Sequence, residues 1–224
     1  MKKHPDSLHS FANLPPEVET ELRSLLKVRT FSSGETVFLQ DEPPDAVYLV
    51  ASGRVKVVRV TQEGYESILC VRSPGDYFCP VPLLDKGNHL GSAVTMTAIT
   101  LFSIDRDRFI NLCKSSPELL ASVQSDCLSE VRNLLSRLES FAFRQVRERL
   151  AFTLVNEIRR QENLNSKTKE LHLTQQELAS LVGATRESVS RNLTKLEQEG
   201  ILRLGRGRIT ILDWRRLVKL AGED

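Results

Sequence analysis

The chain has 224 residues, a formal net charge of +2 and 40% hydrophobic residues, which is enough for one large domain or two ordinary ones with real cores. No apolar run approaches the ~20 residues that span a bilayer, and the lysines near the N-terminus are not followed by the apolar stretch of a signal peptide. These features predict a cytoplasmic protein.

Charge is unevenly distributed along the chain. Residues 1–143 contain 15 Lys and Arg against 18 Asp and Glu, whereas residues 144–224 contain 16 against 11. A basic excess in the second part is what a phosphate-binding surface requires. A solvated face without a partner would give the same count, so charge alone does not decide the function.

The first 29 residues are typical of a short helical segment, because Pro15-Pro16-Glu17 can start a helix on which Val18 and Leu22 share a face. From Phe31 to about Ile104, short aliphatic and β-branched runs alternate with turn signals. The predicted strands are Thr36–Leu39, Val47–Val50, Val55–Val60, Ser67–Val71 and Ala93–Ile104. This spacing predicts an antiparallel barrel, roll or sandwich, since no crossover helix fits between the runs.

A long helical region follows. Asp105 can cap a short helix, and Ser116-Pro117-Glu118 is a second start signal. Leu128 and Leu135 form an apolar edge that could pack on the β domain, beside a row of apolar residues with coiled-coil spacing. That row is Leu120, Cys127, Val131, Leu134, Leu138 and Phe141, with Gln124 interrupting it. We interpret the helix as a dimerisation helix; an ordinary core helix is the alternative.

A short segment, Ser140–Phe143, then leads into a predicted amphipathic helix from Val146 to about Ile158. After it, a polar connection over Arg159–Glu170 ends in the strand-like Leu171–Leu173.

The stretch Thr174–Leu196 predicts two helices joined by a tight turn at Gly183. Thr174 and Glu177 have the spacing of a capping box, and Thr185 can cap the second helix. Apolar residues at helical spacing give each helix a buried face: Leu178 and Leu181 on the first, Val189, Leu193 and Leu196 on the second.

The opposite face of the second helix is polar near its N-terminus. It carries Arg186, Glu187, Ser190 and Arg191, at the positions from which a recognition helix contacts base edges in the major groove. Arg can bond guanine in a bidentate manner and Glu can accept from cytosine, while the helix N-terminus and the hydroxyls of Thr174 and Thr185 suit phosphate. An exposed structural helical hairpin is the alternative.

A hairpin follows this helix. Ile201–Leu204 and Ile209–Leu212 are the predicted strands, and Arg206 and Arg208 lie at the tip between them. A helix-turn-helix followed by a basic-tipped hairpin is typical of a winged DNA-binding domain.

Residues that would support other functions are few. The four cysteines form no CxxC pair, so free thiols are expected rather than a zinc site. The four histidines cluster nowhere in the sequence, and no Ser-His-Asp set, paired carboxylate site or phosphate loop stands out. We therefore expect no enzyme. A nucleotide-binding regulatory subunit is a second alternative, although it would leave the helix-turn-helix without a role.

Over nearly its full length the chain resembles the Crp/Fnr family of transcription regulators. Gly34, Gly53 and Gly75 match turns of the family's β-roll, in SGETVF, ASGRVKV and SPGDYF; SSPELL leads into the long helix; and TRESVSR is similar to the recognition helix. The resemblance implies an α+β fold: a cyclic-nucleotide-binding-like β-roll over residues 1–115, a dimerisation helix over 116–143 and a winged helix-turn-helix over 144–224.

The resemblance also implies partners. The family is dimeric, binds inverted-repeat operators in double-stranded DNA, switches through a small effector or cofactor, and contacts RNA polymerase when it activates. By position, Arg186, Glu187 and Arg191 match base-reading residues of the cyclic-AMP receptor type, and Glu187, Ser190 and Arg191 match the Glu-x-x-Ser-Arg pattern of the fumarate–nitrate type. Half-sites related to TGTGA or TTGA are therefore both expected.

The effector implied by the resemblance is a cyclic nucleotide, and the residues argue against cyclic AMP. Cys79-Pro80 replaces the Gly-Glu that would bind ribose, and Gly91-Ser92-Ala93 keeps only the Ser-Ala of the phosphate-binding Arg-Ser-Ala. His89 is nearby but cannot match the permanently charged fork of Arg. Leu134-Leu135 stands where a Thr-Ser pair would meet adenine.

Haem is another candidate cofactor. Cys79 resembles in position the haem-ligating Cys of the family's carbon-monoxide sensor, and a thiolate is a competent axial ligand. The sensor's next ligand, a His two residues on, is Val81 here, so His89 or another group would have to replace it. The predicted effector pocket comprises Cys79, Pro80, His89, Ser92, Leu134 and Leu135. A buried thiol in a pocket for another small ligand is the alternative. An iron–sulfur cluster is not expected, because the N-terminus lacks the cysteines.

Overall fold

The computed structural model describes residues 14–62, 64, 66–78, 80–162 and 169–222. The chain divides into two compact units, Met1–Arg132 and Asn133–Asp224. The elements up to the second unit are α1 (Pro16–Ser24), β1 (Lys27–Phe31), β2 (Thr36–Phe38), β3 (Ala46–Ser52), β4 (Val55–Val60), β5 (Glu66–Arg72), β6 (Tyr77–Phe78), α2 (Pro80–Asp85), β7 (Ser92–Thr95), β8 (Ile99–Asp105), α3 (Arg106–Ser115) and α4 (Pro117–Phe143), which crosses the division.

The strands of the first unit form two four-stranded sheets, with orders β1-β8-β3-β6 and β2-β7-β4-β5. Every strand pair described is antiparallel, which confirms the predicted all-antiparallel roll. Two details of the prediction are wrong. Lys27–Phe31 is an edge strand on β8 rather than the end of a helical segment, and Ala93–Ile104 is two strands separated by a bend at residues 96–98.

Successive side chains of β3 point to opposite faces of the sheet, so they contribute to two separate layers of the core. Tyr48 and Val50 point between the two sheets, towards Phe38, Phe78 and Leu101. The intervening residues of β3 point the other way and pack against α1, α3 and the start of α4. This second layer contains Val47, Leu49, Leu22, Phe109, Leu112, Leu119 and Val123. Because both faces of β3 are covered, its first five residues are all buried.

Glycine fixes the turns of the roll. Gly34, Gly53 and Gly75 all have left-handed φ angles, of 85°, 83° and 93°, where a side chain is strained. At Gly53 a Cβ would also overlap the carbonyl oxygen of Ala98. The three glycines on which the family resemblance rests are therefore required by the backbone of the turns.

The predicted helix starts are confirmed in position and differ in how they are capped. Ser116 accepts a hydrogen bond from the amide of Leu119 at 3.2 Å, as expected for the cap of α4. Asp105 occupies the cap position of α3 without making a capping hydrogen bond. Its carboxylate is instead 2.6 Å from the Lys27 ammonium, which links β8 to the edge strand.

Helix α4 buries its first turns and exposes its later apolar residues. Leu119 and Val123 are fully buried, and Leu120 and Cys127 pack against the same cluster. The other apolar residues of the predicted seam and edge are 44–63% exposed in the single chain: Leu128, Val131, Leu134, Leu135, Leu138 and Phe141. Leu128 is 63% exposed, so the prediction that it packs on the β domain is wrong for this chain by itself.

The second unit contains the remaining elements: α5 (Val146–Glu162), β9 (Glu170–Leu171), α6 (Gln175–Val182), α7 (Arg186–Gln198), β10 (Leu202–Gly205), β11 (Arg208–Ile211) and α8 (Trp214–Leu220). Residues 140–143 belong to α4 and residues 159–162 to α5, so the predicted irregular segments are shorter than expected. Part of the polar connection, 163–168, lies outside the described residues. Helix α8 was not predicted; Asp213 caps it by accepting from the amide of Arg216 at 3.0 Å.

No helix among the described residues combines the length and the apolar character needed to cross a bilayer.

Candidate functional site

The first helix of the helix-turn-helix, α6, is fixed at both ends by its own sequence. The amide of Glu177 donates to Thr174 Oγ1 at 3.2 Å, and the amide of Thr174 donates to the Glu177 carboxylate at 2.7 Å. This is the predicted capping box, which satisfies two otherwise unbonded donors. Gly183 ends the helix in a left-handed conformation, with φ 63° and ψ 51°.

The second helix, α7, begins shortly after that glycine. Thr185 Oγ1 accepts from the amide of Ser188 at 3.2 Å, which confirms the predicted cap. Val189, Leu193 and Leu196 are fully buried, so they hold one face of α7 on the domain core. The direction of the opposite face follows from this packing, because residues at helical spacing share a side.

That opposite face is largely exposed to solvent in the single chain. Arg186, Glu187 and Arg191 are exposed and Ser190 is half-buried. Within the part of the chain that the structure describes, neither arginine has an ion-pair partner. Two guanidinium groups and one carboxylate therefore project from the N-terminal half of α7, where they can make bidentate contacts with base edges.

The hairpin after α7 is a wing with a two-residue turn. Gly207 has φ 65°, which suits the tight turn between β10 and β11. Arg206 is exposed at this turn. Arg208 is exposed too, but its Nη1 lies 3.9 Å from the carboxylate of Glu170 on the neighbouring strand β9. The tip therefore presents two exposed arginines, of which Arg208 lies near a carboxylate.

A concavity of about 330 Å³ brings three of the predicted residues together. It is lined by Thr174 at the start of α6, Arg186 at the start of α7 and Arg208 on the wing. Two positively charged side chains and the positive end of a helix dipole thus face one space, an arrangement that favours an anion such as a backbone phosphate.

The residues of the predicted effector pocket have different environments. Cys79 lies outside the described residues, and Pro80 is the half-buried first residue of α2. Ser92 Oγ accepts from the amide of Gln40 at 2.9 Å, so its hydroxyl holds the backbone of the roll. Leu134 and Leu135 are 44% and 60% exposed.

His89 is the most unusual of these residues. It is only 2% exposed and stacks on the Phe38 ring, with 3.8 Å between ring centres. Neither ring nitrogen has a hydrogen-bond partner within the described chain, which costs free energy unless another group binds there. Burial lowers the pKa of His89, against the opposing influence of Asp45 and Glu42. A neutral imidazole therefore faces the roll interior, where the sequence suggested only a weak substitute for Arg.

A polar cluster between the roll and α4 has no signature in the sequence. Arg72 on β5 lies 3.5 Å from the Glu130 carboxylate on α4 and is 17% exposed. The Tyr77 hydroxyl lies beside Asp126; burial, then Asp126, raises the pKa of Tyr77, and burial raises the pKa of Asp126. Glu130 of α4 is thus paired with Arg72 of the roll. The spacing of residues in the sequence does not predict this ion pair, which is seen only in the folded structure.

Potential metal ligands do not converge in groups of three or more His, Cys, Asp or Glu anywhere in the described ranges. Cys70, Cys113 and Cys127 are not joined in a disulfide within the described part of the chain.

A β-roll followed by a long helix and a winged helix-turn-helix defines a class of DNA-binding regulator, and comparisons with known proteins agree. Residues 28–116 match the family model for the cyclic nucleotide-binding domain, and residues 148–220 match that for the Crp-like helix-turn-helix domain. The chain therefore contains both modules in the order that the fold shows.

Individual relatives extend over nearly the whole chain. The chain is 32% identical over 215 residues to the CRP-like cAMP-activated global transcriptional regulator of Mycobacterium tuberculosis, covering 94% of this chain and 95% of that one. It is 31% identical over 211 residues to the cyclic AMP receptor protein of Thermus thermophilus, with the same coverages. FixK2 from Bradyrhizobium japonicum has the same fold, with a TM-score of 0.78 at 23% identity, over 87% of this chain and 96% of that chain.

The chain belongs to the Crp/Fnr family of transcription regulators. It is a DNA-binding transcription regulator with a cyclic nucleotide-binding domain.

Proposed function

We propose that this protein acts as a dimer that reads an inverted-repeat operator through α7 and is gated by a small ligand or cofactor other than cyclic AMP. The observation that carries the DNA-reading part is the exposed polar face of α7, with Arg186, Glu187 and Arg191 exposed above a fully buried core face. Thr174 and Arg208 line a concavity together with Arg186, Thr185 caps α7, and Arg206 is exposed at the wing turn. We propose that these four residues, Thr174, Thr185, Arg206 and Arg208, contact phosphates.

The proposal of a dimer is supported by the later half of α4. Val131, Leu134 and Leu138 repeat at steps of three and four and are 44–63% exposed in the single chain. Such a row costs free energy in water and is covered when two helices pair. Two recognition helices related by a two-fold axis would then require an inverted repeat.

The proposal against cyclic AMP is supported by what faces the roll interior. A phosphate buried there would need a cationic partner. Between Phe78 and Ser92 the only basic residue is Lys86, which is exposed to solvent, while His89 is buried with a lowered pKa and is therefore neutral. The two unbonded nitrogens of His89 would instead suit an uncharged polar group of the effector, which supports a different ligand.

A cyclic-nucleotide-responsive regulator is the second candidate. It is favoured by the match to the cyclic nucleotide-binding domain and by the names of the two relatives, which are a cAMP-activated regulator and a cyclic AMP receptor protein. Isothermal titration with cyclic AMP and cyclic GMP separates the candidates. We expect no heat of binding for either nucleotide; submillimolar binding would establish the alternative.

Haem is the cofactor that we propose to test first. Cys79 would supply a thiolate ligand, and bound haem would provide an iron that takes up small gases. Among the described residues of the roll, Phe38 and Phe78 are buried aromatic residues, and the buried His89 stacks on Phe38. A porphyrin would have to displace part of this packing. The measurement is the absorbance spectrum of protein expressed with haem supplied. A Soret band lost in Cys79→Ser is expected, and the lack of a band in the unmodified protein would remove haem from consideration.

Native mass spectrometry tests the assembly. We expect the purified chain to be a dimer of twice 25.3 kDa plus any retained cofactor, and to bind one duplex per dimer. A monomer that binds DNA one chain at a time would contradict the proposed function.

A further inference from the structure

The turn of the helix-turn-helix is held by a ring from the end of α4. Gly183, the left-handed residue after α6, lies against the side chain of Phe141. A Cβ at position 183 would be 2.9 Å from Phe141 Cζ and closer still to Cε1. Position 183 therefore excludes a side chain for two separate reasons, the backbone conformation and the ring.

Arg149 on α5 binds both sides of this contact. Its guanidinium carbon lies 5.3 Å from the centre of the Phe141 ring. Its Nε donates to the Val182 carbonyl at 3.2 Å and its Nη2 to the Gly183 carbonyl at 3.3 Å. The last carbonyls of a helix lack internal donors and carry partial negative charge, so a guanidinium is well placed there.

The same side chain also reaches the end of α4. Arg149 Nη1 donates to the carbonyl of Arg144, the residue after α4, at 3.1 Å. In addition, Arg137 on α4 lies 3.5 Å from the carbonyl of Leu181. Three successive carbonyls at the end of α6 thus face arginines from α4 and α5. Because α7 begins directly after Gly183–Thr185 turns the chain, these contacts set the direction in which α7 leaves.

We propose that Phe141, Arg149 and Gly183, which we call the latch, position the recognition helix relative to the end of α4 and so determine which half-site spacing the dimer accepts. The proposal rests on the proposed dimeric, operator-binding function. Two recognition helices must enter major grooves about 34 Å apart. A helix-turn-helix that could pivot on α4 would tolerate other spacings and bind the correct one less tightly, because the pivoting is lost on binding. The latch residues are positioning residues that contact no DNA.

The test uses a duplex that the unmodified protein enriches from a random library. Three further duplexes carry the same half-sites with one base pair inserted, one deleted, or one half-site scrambled. Phe141→Ala is compared with Phe143→Ala, a matched change on the same helix at a residue that is 83% exposed. We expect Phe141→Ala to reduce the preference for the native spacing by about tenfold, the size of an interaction worth ~1.4 kcal/mol. Its affinity for the single half-site should change less than about twofold, and Phe143→Ala should behave like the unmodified protein.

Phe141 belongs to the apolar row proposed for dimerisation, so a second variant is needed to separate the effect on the latch from an effect on dimerisation. Arg149→Met removes the guanidinium from α5 but leaves every apolar residue of the α4 row in place, and it should lower the spacing preference in the same way. Phe141→Tyr, which keeps the ring, should retain the spacing preference of the unmodified protein. Sedimentation velocity confirms that each variant is a dimer. The latch is refuted if Phe141→Ala and Arg149→Met both keep the native spacing preference, if Phe143→Ala loses as much, or if the single half-site is weakened equally. Failure of the unmodified protein to enrich any duplex would instead overturn the proposed function, and the latch with it.

Discussion

The winged helix-turn-helix and the segment of the roll between Phe78 and Ser92 differ in how their functional residues are determined. In the first, caps at Thr174 and Thr185 and a left-handed glycine set the ends of α6 and the start of α7 through neighbours in sequence. In the second, the character of the site depends on a buried histidine, whose ring meets Phe38 from a distant strand. The helices of a DNA-binding surface can therefore be predicted from neighbouring residues. A ligand site depends on side chains that are distant in sequence and meet only in the folded protein.

The largest expected effect is the loss of operator affinity when a base-contacting residue of α7 is replaced. Arg191→Ala should abolish specific operator binding while leaving the dimer folded, since each bidentate pair contributes roughly 1–3 kcal/mol and a dimer loses two of them. The measurement is a gel-shift titration at fixed salt. Lys219→Ala removes the same charge from α8, outside the helix-turn-helix, and serves as control. Unchanged operator affinity in Arg191→Ala would show that α7 does not read the bases.

The next effect concerns the stability of the turn. Gly183→Ala should lower the free energy of unfolding by about 2–3 kcal/mol, because it combines left-handed strain of ~1 kcal/mol with overlap against Phe141. In a Phe141→Ala background only the strain should remain. Urea denaturation of the four proteins in this cycle measures both effects. Equal costs in the two backgrounds would mean that the ring and the glycine are not coupled.

The buried histidine of the roll predicts that the stability of the fold depends on pH. His89 has a lowered pKa in the folded protein, so below about pH 6.5 the unfolded chain takes up a proton that the folded chain resists. Stability should therefore fall as the pH falls from about 7 to about 5.5, by at most about 1.4 kcal/mol per pH unit from this group. His89→Phe, which preserves a ring against Phe38, should show a shallower slope in urea denaturation. Parallel slopes would assign the acid sensitivity to other groups.

The smallest effect is expected at the wing. Arg206→Ala should weaken binding to all duplexes alike, and it should lower the slope of log K against log salt by about 1 for each phosphate that the side chain neutralises. Arg208→Ala should do less, because its guanidinium already lies near Glu170. Salt titrations with specific and unrelated duplexes measure this. A weakening confined to the specific duplex would make the wing a base reader.

The sequence predicted most of what depends on spacing. The capping box, the cap at Thr185, the glycine turn, the antiparallel strands and the start of α4 at Pro117 are all found. Very short elements were missed, because two-residue β6 and six-residue α2 are too short for a period to show. The edge strand Lys27–Phe31 was hidden by its charged residues, which are expected at an exposed edge.

Pairings between distant residues could not be predicted at all. Asp105 was assigned as a cap and instead pairs with Lys27, 78 residues away. Arg149 showed no sign in its amphipathic helix that it would bond the carbonyls at the end of α6. In both cases the chain contains many groups that could pair with the side chain, and only the packed fold selects among them.

Two copies of this chain are proposed to read one symmetric DNA site, and in vitro selection from a random duplex library tests this most directly. We expect an enriched inverted repeat with half-sites related to TGTGA or TTGA, bound by two chains. Enriched sequences without two-fold symmetry, or a complex of one chain per duplex, would contradict it.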